Sequence, residues 1–208
     1  MKISNRNLAM ILMGVIAIST SGIYSLTQNV QTPTSSGTIE QPVVLGHITA
    51  VVKDSDGNIK SYRQTDNLVV SNGLNSTINA LFGSGLQSIS SGTLPSSFKY
   101  VGVGTSNTPV AYTDLGLNTQ RANKVLGTVT AVTHSGGTGM GAQIVGNWAA
   151  GKLANGTLTT IQEAGLFDSI ANATASSNMY AHQVISPGIS IAAEDSLAVT
   201  WQITFSHS

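Results

Sequence analysis

Residues 197–205 alternate without interruption: Leu197, Val199, Trp201, Ile203 and Phe205 on one side, Ala198, Thr200, Gln202 and Thr204 on the other. One face is large and apolar, the other small or polar, as in an antiparallel strand half-buried against a core. Such a strand requires a second layer over its apolar face. Further strand-like runs at 43–53, 59–70, 98–104, 121–134, 142–152, 157–170, 179–186 and 188–192 can supply it, separated by Gly, Ser, Asn and Asp. Asp56-Gly57 centres a tight turn between the first two. Only 71–82 has a helical period, with Leu74, Ile78, Leu81 and Phe82 on one stripe, Ser71 placed to cap it and Gly83 to end it. The expected fold is all-β: an antiparallel, jelly-roll-like β-sandwich head over 43–208 with one short helix packed at an end.

The N-terminus has a different grammar. Lys2 and Arg6 precede an apolar run at 8–18 and small residues at 19–22. That order describes a secretory signal peptide over 1–22, too short in its apolar part to span a bilayer. A type IV pilin leader cut near Arg6 is the rival reading, and the Ser/Thr break at 19–22 argues against its long assembly helix. After it, Tyr24, Leu26 and Val30 share one side of a two-residue period that begins at Ile23, with Gln28 interrupting the row. A Pro/Ser/Thr/Gly linker covers 32–42. Residues 23–31 have no neighbour to pair with by a tight turn, and a lone strand is unstable without a sheet edge. The expectation is an N-terminal donor strand that finds its edge on another copy of the chain. Leu197, Val199, Trp201, Ile203 and Phe205 are the expected wall of the receiving groove.

Charged residues make up 9% of the 208 positions, and Lys+Arg balances Asp+Glu at nine each. This leaves no basic patch for nucleic acid. Cysteine is absent, so no disulfide can staple the fold. The four histidines lack metal-ligand spacing, Asp54, Asp56 and Asn58 lack the closing Glu of a calcium loop, and no G-x-S-x-G elbow occurs. No cofactor, metal site or enzymatic activity is expected, and His182 reads as a structural residue in a strand. Asn75, Asn155 and Asn172 each open an N-x-[ST] sequon, usable for N-glycosylation in an exported chain. An isopeptide bond is a candidate staple. Its lysine would come from Lys53, Lys60, Lys99, Lys124 or Lys152, with Glu163 as the acid facing into the sandwich.

Phe98-Lys-Tyr-Val-Gly-Val-Gly-Thr105, Thr113-Asp-Leu-Gly-Leu117, Glu163-Ala-Gly-Leu-Phe167 and the final strand resemble β-sandwich domains of viral and phage tail proteins. With the leader, strand-like tail, sequons and lack of Cys, the whole chain more closely resembles the subunit of archaeal threads, extracellular filaments of thermoacidophilic crenarchaea. That resemblance implies head-to-tail donor-strand complementation into a cell-surface homopolymer, N-linked glycans, isopeptide reinforcement, and a role in adhesion and cell–cell contact. Other copies of the chain are then the partners, and membranes are met only during export. The alternative is a secreted carbohydrate- or receptor-binding β-sandwich module.

Overall fold

Among the described residues, ten strands and one helix follow in order: β1 Pro42–Lys53, β2 Ile59–Asp66, β3 Leu68–Val69, α1 Ser71–Phe82, β4 Tyr100–Gly104, β5 Val125–Leu126, β6 Thr128–Thr133, β7 Gly139–Trp148, β8 Thr159–Phe167, β9 Met179–Ile191 and β10 Ser196–His207. They come from a computed structural model that describes residues 42–83, 85–89, 91–92, 97–133, 139–154, 156–172 and 177–207. The expected signal peptide, the expected donor strand with Ile23, Tyr24, Leu26 and Val30, nearly all of the expected linker, and Asn155 lie outside the described residues. Pro42, assigned to the linker, is the first residue of β1, so the head starts slightly before residue 43.

Two antiparallel five-stranded sheets face each other, one in the order β2-β1-β10-β7-β6, the other β3-β9-β8-β4-β5. The all-β sandwich is therefore as expected, with ten strands where a jelly roll has eight. The alternating C-terminal run becomes β10, the middle strand of the first sheet, pairing with β1 from Pro42↔His207 to Lys53↔Ser196 and with β7 on its other side. Its apolar face meets Val101, Val103, Ile161, Leu166 and Ile185 of the second sheet in the main core. Trp201 and Val199 are fully buried there.

Several boundaries differ from the sequence reading because tertiary pairing cuts across the apolar runs. Residues 121–134 are not one strand. Val125–Leu126 pairs with β4, the Gly127 amide donates to the Lys99 carbonyl at 2.7 Å, and Thr128–Thr133 joins the other sheet beside β7. Conversely, the runs at 179–186 and 188–192 merge into one strand, β9, whose register against β8 shifts between Ile161 and Glu163. Ser71 does not cap α1: the N-cap is Val70, without a side-chain hydrogen bond.

Candidate functional site: an open apolar groove at one end of the head

α1 is built inside out relative to its apolar stripe. Its buried residues are Asn72, Gly73, Ser76 and Asn79, while Ile78, Leu81 and Phe82 are 39%, 68% and 70% exposed. Close approach explains the choice of face. Gly73 lies against the Tyr180 carbonyl so tightly that a Cβ would collide with it. The buried polar groups are satisfied: Asn72 Nδ2 donates to Asn178 Oδ1 at 3.1 Å, Ser76 Oγ to the Asn72 carbonyl at 2.8 Å, and Asn79 Nδ2 to the Gln87 carbonyl at 2.8 Å. A helix that buries its small and amide side chains leaves its large apolar ones to be covered by something else.

Of the exposed stripe, Leu81 lines a groove of about 490 Å³, chiefly together with Phe98, Ile144, Tyr180, Ile203 and Phe205. Here α1, the end of β7 and β10, and Leu166 and Tyr180 of the second sheet share the walls. Of the five residues expected to form the wall, only Ile203 and Phe205 line the groove. Leu197, Val199 and Trp201 are sealed in the closed core, because the second sheet covers that part of β10. Phe205 remains 46% exposed.

A separate opening lies along β1, on its side away from β10. β2 pairs with β1 only from His47 onward, closed off by the Asn67 amide donating to the Gly46 carbonyl at 3.0 Å. Among the described residues no strand pairs with β1 on that side before His47. By strand alternation, the Val44 backbone groups point the same way as those of Gly46, toward the vacant edge. A cavity of about 460 Å³ lies there, lined by Val44, Gly46, His47, Asn67 and Gln202 among others. The Asn67 side chain lies over Gly46, and both its Oδ1 and Nδ2 are buried without a hydrogen-bond partner among the described residues. An unpaired buried amide costs about 1–3 kcal/mol.

A second feature lies away from the groove. Fully buried His182 places Nδ1 2.7 Å from Asp114 Oδ2 and Nε2 3.1 Å from Glu163 Oε2. Glu163 also accepts from the Asn118 and Thr119 amides at 3.0 and 2.7 Å. Burial alone would raise the Glu163 carboxyl, but His182 and these amides hold it below its ordinary value. Burial alone would lower the imidazole, but the two carboxylates keep it raised. Both ring nitrogens are engaged, so neither is free to take a proton from a nucleophile. The trio fastens the 105–120 loop to β8 and β9. Nothing in the spacing revealed it, since its members stand 68 and 19 residues apart in the chain.

The isopeptide candidates separate sharply. Lys53 and Lys152 are exposed and Lys99 is half-buried. Lys60 ion-pairs with buried Asp195 at 2.8 Å. Lys124 is 3% exposed, with Nζ 3.7 Å above the Phe167 ring and donating to the Ala171 carbonyl and to Ser177 Oγ. Burial lowers its amine to about 8, against the pull of nearby Asp168. The polar partners described for Glu163 are His182 and backbone amides, not a lysine. Lys124 also lines a polar cavity of about 300 Å³ with Gln120, Arg121, Asn123 and Asn172. Of the sequon residues, Asn172 is exposed and accepts from Gln120 Nε2 at 2.8 Å, while Asn75 donates to the Ser88 carbonyl at 2.8 Å.

No helix among the described residues is long and apolar enough to cross a membrane. Comparison with family models, with curated proteins and with solved structures gives no match to this chain.

Proposed function

We propose that the chain is the subunit of an extracellular surface filament, in which residues 23–31 of one copy enter the head of the next. One observation carries this reading: the apolar groove between α1 and the end of β7 and β10, with Leu81 and Phe205 left 68% and 46% exposed. Tyr24 to Val30 spans about 20 Å when extended, and the twelve-residue α1 that flanks the groove is about 18 Å long. Alternate apolar side chains of an inserted strand would fill the groove, and its backbone would find a vacant edge on β1. A contact between different surfaces of successive copies is heterologous and propagates as an open fibre. Adhesion and cell–cell contact are the roles such a fibre would serve, with glycans on the sequons and lysine cross-links as further elements of the same proposal.

The test is deletion of residues 23–31 from the otherwise complete chain, followed by negative-stain microscopy and size-exclusion chromatography. The complete chain is expected to give filaments, and the deleted one separate or clumped heads. Filaments from the deleted chain would rule the reading out. The polar cavity beside Lys124 favours a second reading, a saccharide-binding module. A chain that stays monomeric and shows saturable binding of small sugars would decide for it.

A further inference from the structure

The tail has a polar break in its apolar row, and the vacant side of β1 has an unpartnered carboxamide. In the tail, Gln28 stands where the apolar row of Tyr24, Leu26 and Val30 calls for an apolar residue. In the head, the Asn67 carboxamide is buried and unpartnered among the described residues. It lies over Gly46, on the strand face shared by Val44 and Ile48. Gly46 pairs with Ile203, and Val44 with Phe205, the two β10 residues that line the groove. Asn67 therefore stands on the inner face of the sheet, next to the groove wall and beside the vacant edge of β1.

We propose that Gln28 of a donated strand pairs side chain to side chain with Asn67 of the receiving head, and that this pair sets the register of assembly. The inference rests on the filament reading above and adds the residues that fix its alignment. A carboxamide carries one acceptor and two donors, so two of them satisfy each other reciprocally. Asn67 Nδ2 donates to Gln28 Oε1, and Gln28 Nε2 donates to Asn67 Oδ1. An apolar strand in an apolar groove can slip by two residues and still bury its side chains. A slip here would leave both amides unpaired and set Leu26 or Val30 against Asn67. A single buried polar pair fixes register in the same way in coiled coils.

The chain has no cysteine, so an introduced pair reports only on itself. The full-length chain carrying Gln28→Cys and Asn67→Cys is polymerised and oxidised, beside controls carrying Leu26→Cys or Val30→Cys with Asn67→Cys. The expected result is a denaturation-resistant ladder of multimers at least five-fold stronger for the Gln28 pair. Filaments whose ladder runs equally through position 26 or 30 would overturn the register and leave the filament reading standing. Absence of filaments from the unsubstituted chain would overturn the filament reading itself. A disulfide formed within single chains, without a ladder, would overturn donation between copies. A companion pair guards against effects of the thiols. Asn67→Leu alone should speed filament dissociation in urea about tenfold, and Gln28→Leu added to it should restore the original rate. Equal rates for the single and double variants would overturn the pairing.

Discussion

Two residue-scale features make the head sensitive to small changes. Gly73 is the first. Alanine is the better helix former by about 1 kcal/mol, yet a Cβ at this position meets the Tyr180 carbonyl of a neighbouring strand. Backbone cannot step aside as a side chain can. Gly73→Ala should therefore destabilise the head by about 2 kcal/mol or more, lowering Tm by about 4–8 °C in a calorimetric scan. The Asp114–His182–Glu163 trio is the second. The raised imidazole contributes stability that is complete below its unfolded value of 6.5 and lost as pH rises through its higher folded value. The lowered Glu163 carboxyl contributes stability that is complete above 4.5 and lost as pH falls through its lower folded value. Both contributions are complete between about pH 4.5 and 6.5, so thermal scans should place this trio's optimum in that mildly acidic window. Glu163→Gln should flatten the acid limb. Lys124, lowered to about 8, acts in the opposite sense at alkaline pH, where stability gains as pH rises toward 10.5.

At the scale of elements, alternation made the strands legible and close packing hid the rest. β10 could be read residue by residue, because a period of two with one large apolar face has a single structural meaning. α1 could be located by its period, but not oriented. The stripe of Leu74, Ile78, Leu81 and Phe82 suggested a buried face, while the fit of Gly73 against Tyr180 and the amide bonds of Asn72 and Asn79 turned the helix around. The spacing of apolar residues along a helix carries no trace of a steric fit to a strand that arrives far later in the chain. The same blindness hid His182, whose partners are brought together only by folding. If α1 exposes its stripe for a partner, Leu81→Asp should cost the isolated head under about 0.5 kcal/mol, since Leu81 is 68% exposed. The same change should raise the critical concentration for polymerisation at least tenfold, equivalent to about 1.4 kcal/mol. Sedimentation of polymer against total protein, beside a thermal melt, separates the two effects.

For the whole molecule, the sandwich is closed in its core and open at one end. A head lacking residues 23–31 should bind a synthetic peptide of those residues and gain stability by mass action. The gain is about 2.7 kcal/mol at a peptide concentration one hundred times Kd. Thermal melts across a peptide titration test this, with a scrambled peptide as the control. The position of the opening has a mechanical consequence. The tail joins the head through Pro42, at the end of the first sheet where Phe205 borders the groove and Val44 the cavity beside β1. In a string of such heads, tension would enter along β1 and leave through the strand held beside it. The load path would then run through a few rungs of one sheet margin. It would strain the β1–β10 ladder in shear, the direction in which many hydrogen bonds resist together, and leave the deep core unloaded. The breaking force of such a thread would be set by that margin and be largely indifferent to the thermal stability of the heads it links.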